Sequence, residues 1–196
     1  MNLKGLDYDY ASVYLVRDGD EQLKPDYRAL NPDGIVPTLV DGGAVLTQSL
    51  AIAEYLEETH PEPALLPRDQ LDRAFVHSVA LQIACDIHPV DNLRVLKYLK
   101  RELKVPDDVK DAWYRHWIES GFASLEMRLA NDKRVGALTF GDTLTLADLY
   151  IVPQVFNAQR FSIDLTPYPT IRRIAERANQ IDAFARAAPA NQPDAE

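Results

Sequence analysis

Apolar residues recur at steps of three and four through most of this chain, and that spacing predicts amphipathic helices. Phe75, Val79, Ile83 and Ile87 make one such row, on a helix expected over 71–87. Leu96, Leu99 and Leu103 make a second over 92–103, and Trp117, Gly121, Leu125 and Leu129 a third over 108–129. Pro89 falls between the first two and interrupts or kinks the pattern, because proline lacks an N–H and its ring crowds the preceding turn. Gly121 costs a helix about 1 kcal/mol against alanine, so close packing against a neighbour is its expected use. Thr145-Leu146-Ala147-Asp148 reads as a variant capping box opening a helix over 145–157, with Leu144 and Leu149 placed as a hydrophobic staple. Ile171, Ile174, Ala178 and Ile181 mark a last helix, and the Ala/Pro/Asp-rich tail 187–196 is expected to be loose.

The first third reads differently. Residues 8–16 are rich in aromatic and β-branched types and predict a strand. A charged stretch over 17–24 and a short helix over 26–30 follow. Residues 38–40 and 44–47 predict a hairpin, with Asp41-Gly42-Gly43 supplying the positive φ of a tight turn. Ser49 is expected to cap a helix over 50–59 that buries Ile52, Ala53 and Leu56. Three prolines between 61 and 67 then forbid regular structure and read as a linker. The pattern divides the chain into an α/β domain over 1–62 and an all-helical domain over 63–196, with no internal repeat.

Composition narrows the function. Among 196 residues, 21 Lys and Arg stand against 30 Asp and Glu, a formal charge of −9, which argues against a general nucleic-acid binder. It leaves room for a local basic pocket. The one cysteine, Cys85, excludes an internal disulfide framework; its place in the helical region predicts a buried thiol. No apolar run reaches the length of a membrane-spanning helix, the N-terminus lacks a signal-peptide core, and a cytoplasmic protein is expected. His60, His77 and His116 show no metal-ligand spacing, and no metal is expected. Trp113 and Trp117, at helical spacing, are expected to serve packing.

Two short segments carry chemistry. In Ile35-Val36-Pro37-Thr38-Leu39, a Val–Pro bond before a strand, if cis, turns the valine N–H and C=O outward, where an extended ligand can pair with them. Gln48-Ser49 opens a helix, where backbone donors and the macrodipole favour an anion. Either feature alone is commonplace. Together, Val-Pro-Thr-Leu, a hairpin and Gln-Ser-Leu-Ala-Ile-Ala-Glu-Tyr-Leu resemble the glutathione-binding half of glutathione transferases, and the resemblance runs on through Asp142 to Asp148. Cys85-Asp86-Ile87-His88-Pro89, Asn92-Leu93-Arg94-Val95-Leu96, Val152-Pro153-Gln154-Val155, Arg160-Phe161 and Asp164-Leu165-Thr166-Pro167-Tyr168-Pro169 resemble the zeta class in particular, the class of maleylacetoacetate and maleylpyruvate isomerases.

The resemblance implies a thioredoxin-like N-terminal domain, an all-α C-terminal domain and a C₂ homodimer. It implies that Val36 pairs its backbone with glutathione, that Gln48 and Ser49 hold the γ-glutamyl end, and that Asn92 adds a contact. His88, Arg94 and Arg160 match positions lining the substrate pocket. Two guanidinium forks suit the carboxylates of a short diketo diacid, and the imidazole suits an enolic oxygen. The implied reaction is glutathione-dependent cis–trans isomerisation in the breakdown of aromatic compounds, with the choice between the two substrates left open. A general glutathione transferase or dehalogenase, and a silent glutathione-transferase-like binding module, are the rival readings.

The chain also departs from the family pattern. Asn2-Leu3-Lys4-Gly5 resembles the end of the family's first helix, so on the order of 15–20 residues, about one strand and most of one helix, are expected to precede it. That segment carries the thiol-activating serine, and loss of one preorganised donor typically costs about 10²–10³ in rate. The chain as it stands is therefore expected to be severely impaired, with a start codon assigned too far downstream as the explanation.

Overall fold

The computed structural model describes residues 1–16 and 20–195, so the first three residues of the charged 17–24 stretch lie outside it. The backbone divides into two units, Met1–Ala64 with Ala185–Glu196, and Leu65–Phe184.

In the first unit, Pro25 opens helix α1 (Pro25–Leu30) and Asn31 closes it, its N–H donating to the Tyr27 carbonyl at 2.9 Å. Strands β1 (Thr38–Asp41) and β2 (Ala44–Thr47) pair antiparallel, Thr38 opposite Thr47 and Asp41 opposite Ala44. That register leaves a two-residue turn, Gly42 at φ 54° and Gly43 at φ 89°, the left-handed geometry that matches strand twist and that only glycine adopts freely. Helix α2 (Ser49–Thr59) follows and buries Leu56, while Ile52 and Ala53 are half-buried. Lys4 pins the N-terminal turn beneath the end of α2: its ammonium pairs with Glu57 at 2.7 Å and donates to the carbonyls of His60 at 2.7 Å and Pro63 at 3.0 Å. The side chain is 2% exposed, and three acceptors satisfy its three donors.

Two expectations fail in this unit. Residues 8–16 do not form a strand. A strand exists through its ladder, and no neighbouring strand pairs with this segment among the described residues, so β-propensity has nothing to act on. The tail is not loose: Asn191 and Gln192 donate back to the carbonyls of Ala185 and Arg186, both at 2.7 Å, and Tyr10 donates to Asp194 at 3.0 Å.

The second unit is helical: α3 (Gln70–Leu81), α4 (His88–Asp91), α5 (Leu93–Arg101), α6 (Asp107–Ala130), α7 (Leu146–Arg160) and α8 (Pro169–Asn179), with α9 (Asp182–Ala187) running out of it. The row Phe75, Val79, Ile83 and Ile87 is buried throughout, but not on one α-helix. Over Gln82–Ile87 the chain widens into a π turn, which makes room for Pro89, whose ring would otherwise meet the carbonyl four residues back. Gly121 on α6 explains itself there. A Cβ at that position would lie 2.4 Å from Cγ1 of Ile87, closer than any side chain tolerates, so the glycine is what lets α6 approach the end of the π turn.

Two carboxylates tie this unit together. Asp148 accepts from the Thr145 N–H at 2.8 Å, closing the capping box of α7. Glu126 on α6, itself 9% exposed, accepts from the N–H groups of Thr170 and Ile171, both at 2.9 Å, and so caps α8, whose first-turn donors have no partner within the helix. Among the described residues, no helix is long and apolar enough to cross a membrane.

Candidate active site

Val36 sits just before β1, joined to Pro37 by a cis peptide bond. Its side chain is 41% exposed, and its backbone N–H and C=O take no hydrogen bond from the described residues. The hairpin register places Gln48 and Ser49 at the same end of the sheet, since Thr38, two residues past Val36, faces Thr47. Gln48, not Ser49, is the N-cap of α2: its carbonyl accepts the Ile52 N–H at 3.0 Å, and Ser49 is the first helical residue. Gln48 stands at φ 69°, ψ 119°, a region that costs a non-glycine residue about 1–3 kcal/mol and persists where the surroundings dictate it. Both Gln48 and Ser49 are exposed. The first unit thus presents an unused peptide edge beside a helix N-terminus, which fits a peptide carrying a carboxylate.

In the second unit, His88 begins α4 and Asn92 links α4 to α5. Asn92 caps α5, its Oδ1 accepting the Arg94 N–H at 3.1 Å, while its Nδ2 lies 3.5 Å from Nε2 of His88. Desolvation, then the Arg94 charge, lower the His88 pKa below its ordinary value, so the imidazole is neutral at pH 7. Arg160 ends α7. Arg94 and Arg160 are both exposed, and neither makes an ion pair or a side-chain hydrogen bond among the described residues. What sets these two apart is their neighbours, Arg94 acting on the His88 imidazole and Arg160 on the Tyr114 hydroxyl.

Tyr114 and Asp91 join these groups, and no motif or spacing pointed to either. Tyr114 on α6 is buried and stacks on Phe161, ring centroids 3.6 Å apart. Burial first, and the Asp91 charge second, push its hydroxyl up to about 12, while Arg160 pulls the other way. Asp91, the last residue of α4, is 4% exposed, and neither carboxyl oxygen has a hydrogen-bond partner among the described residues. Burial raises it to about 7. Trp113 fixes the same turn by donating to the Val90 carbonyl at 2.9 Å.

Asp91 sets a pH dependence. A carboxyl whose folded pKa lies above its unfolded value binds more protons folded than unfolded, so stability falls as pH rises from about 4 to 7. Asp91→Asn removes the ionisation. Its stability relative to wild type is expected to grow by about 2 kcal/mol between pH 5 and pH 8, read from urea melts at the two pH values; a pH-independent difference would show that the carboxyl does not titrate in this range.

Cys85 proves exposed rather than buried, because the π turn carries it off the Phe75–Ile87 face. Trp113 and Trp117 pack edge to face at 5.7 Å. Among the described residues no three His, Cys, Asp or Glu side chains gather as metal ligands.

Residues 1–59 match the model of the glutathione S-transferase N-terminal domain. A probable maleylacetoacetate isomerase of Vibrio cholerae is 48% identical over 195 residues, covering 100% of this chain and 90% of that protein. A holo structure of a maleylpyruvate isomerase, described as a bacterial glutathione S-transferase of the zeta class, superposes with a TM-score of 0.96 at 49% identity, covering 100% of this chain and 91% of that one. A maleylacetoacetate isomerase of Methylobacterium extorquens AM1, with malonate and glutathione bound, superposes at 0.95 with 40% identity, covering 100% and 91%. The fold is that of the glutathione transferases, a thioredoxin-like N-terminal domain with a small sheet followed by a helical domain. The chain belongs to their zeta class, the family of the maleylacetoacetate and maleylpyruvate isomerases.

Proposed function

We propose that this protein is a glutathione-dependent cis–trans isomerase of a short unsaturated diketo diacid, maleylacetoacetate or maleylpyruvate. The observation that carries the reading is the placing of two exposed guanidinium groups, neither ion-paired among the described residues, with Arg94 beside the His88 imidazole and Arg160 beside the buried Tyr114, in a chain of net charge −9. The malonate bound in the Methylobacterium relative shares the two carboxylates of such a diacid.

The residues of the first unit fit glutathione: the free edge of Val36 pairs with an extended tripeptide, and Gln48 with Ser49 at the start of α2 receives the γ-glutamyl carboxylate. Asn92 adds a contact through the amide nitrogen its cap leaves available. Bound glutathione supplies a thiolate that adds reversibly to the cis double bond, frees it to rotate, and leaves unchanged. Arg94 and Arg160 hold the two carboxylates of the substrate bidentately. The neutral imidazole of His88 holds a proton at the enolic oxygen, which a protonated ring could not accept. A homodimer and a cytoplasmic location belong to the same family reading.

Product analysis under limiting glutathione tests it. An isomerase turns over many equivalents of maleylpyruvate or maleylacetoacetate per glutathione and leaves the thiol titre unchanged. Consumption of glutathione mole for mole would instead mark a conjugating transferase or dehalogenase, and glutathione binding without turnover a silent binding module. Steady-state rates on the two diacids, side by side, decide which is the substrate.

A further inference from the structure

The peptide edge at Val36 belongs to a loop, yet its placement is fixed from behind. Ile35 and Thr38 bracket the Val36–Pro37 pair, and two side chains from the end of α1 grip both. Tyr27 Oη donates to the Ile35 carbonyl at 2.7 Å and lies 2.9 Å from Thr38 Oγ1. Since the phenol has spent its one hydrogen, the Thr38 hydroxyl is the donor in the second bond. Asn31 Nδ2 donates to the same Ile35 carbonyl at 2.7 Å and to Thr38 Oγ1 at 3.3 Å. Its Oδ1 accepts the Asp33 N–H at 3.1 Å. Tyr27, Ile35, Asn31 and Thr38 therefore form a closed cycle of hydrogen bonds in which every donor and acceptor has a consistent role.

The cycle lies on the protein side of the loop. Asn31 is fully buried, at 0% exposure, and both of its amide hydrogens are used, so it is not a ligand contact. Val36 leaves both its N–H and its C=O without a hydrogen bond among the described residues. Thr38 is also the residue paired with Thr47, one position before Gln48. The same hydroxyl thus ties the Val36 edge to the strand whose end delivers Gln48 and Ser49.

We propose that Tyr27 and Asn31 are positioning residues for glutathione: acting through the Ile35 carbonyl and the Thr38 hydroxyl, they hold the Val36 N–H and C=O in line for an extended tripeptide and set their spacing from Ser49. The inference rests on the reading that glutathione binds at Val36. An edge held in advance loses less freedom on binding, so loosening the cycle weakens glutathione binding while leaving the handling of the diacid alone.

The test uses the full chain with Tyr27→Phe, Thr38→Val, the double variant and Thr38→Ser, with glutathione affinity measured by calorimetry and both KM values by steady-state kinetics. Tyr27→Phe and Thr38→Val are each expected to raise the glutathione Kd about fivefold, the loss of roughly one neutral hydrogen bond's worth of order. The double variant should fall short of the product of the two, because both remove the Tyr27–Thr38 bond. Thr38→Ser keeps the hydroxyl and is expected to bind like wild type. The KM for the diacid, and kcat at saturating glutathione, should stay within twofold. Unchanged glutathione affinity in these variants would overturn the proposal, as would a parallel loss in both KM values and kcat, which marks general destabilisation. If wild type itself binds no glutathione, the underlying reading has failed instead. Thermal melts of each variant accompany the binding data, and the assays run well below the lowest midpoint.

Discussion

Truncating Asp148 to alanine is expected to cost the protein at least about 4 kcal/mol of unfolding free energy. The side chain is fully buried and accepts four hydrogen bonds. One oxygen takes the Thr139 N–H at 2.9 Å and the Thr139 hydroxyl at 2.6 Å; the other takes the Thr145 N–H at 2.8 Å and the Thr145 hydroxyl at 3.1 Å. Alanine leaves two backbone donors orphaned in the core, at about 1–3 kcal/mol each, and strips two hydroxyls of their acceptor. The start of α7 loses its cap as well, worth about 1 kcal/mol. Asp148→Asn separates these contributions. It keeps the shape and one acceptor oxygen but turns an NH₂ toward donors, so a loss of about 2 kcal/mol is expected. Urea denaturation at pH 7 reads both. A loss below 1 kcal/mol for alanine would mean that the loop from Thr139 to Thr145 can re-satisfy itself, and that α7 starts without this carboxylate.

Asp148 was legible in the sequence because its partner Thr145 is three residues away, and the motif that joins them is local. The Gly42-Gly43 turn and the buried row from Phe75 to Ile87 were legible for the same reason: each is dictated by neighbours along the chain. What failed depends on distant residues. A strand over 8–16 needs a ladder partner that local propensity cannot supply. The exposure of Cys85 follows from the π turn, which answers to Pro89 and to the fit of Ile87 against Gly121. Glu126 caps α8 across 44 residues, and no spacing rule reaches that far. The site divides the same way. The sequence nominated Val36, Gln48, Ser49, His88, Asn92, Arg94 and Arg160 by type and motif. It placed the cap of α2 one residue late, at Ser49 rather than Gln48. It could not show that neither arginine is ion-paired among the described residues, because that depends on which carboxylates fold near them, nor that Asp91 is buried beside Tyr114, 23 positions on.

The unpaired state of those arginines leads to the largest kinetic effect expected. Replacing Arg94 or Arg160 by methionine should lower kcat/KM for the diacid by about 10²-fold each, the worth of a charge-assisted bidentate contact, and the pair by about 10⁴ if the two act independently. Methionine keeps the aliphatic bulk of the stem, so packing changes little, and neither guanidinium has a partner among the described residues whose loss would destabilise the fold. The KM for glutathione should stay near wild type, because Val36, Gln48 and Ser49 are untouched. Arg→Lys is expected to recover only part of the loss: it restores the charge but not the planar fork. Monomethyl esters of the diacid assign each arginine to a carboxylate. An ester that has already lost one anion should be indifferent to removal of the arginine that met it, and still sensitive to removal of the other. Sub-threefold effects from both single substitutions, with the isomerase otherwise active, would show that the diacid is held elsewhere.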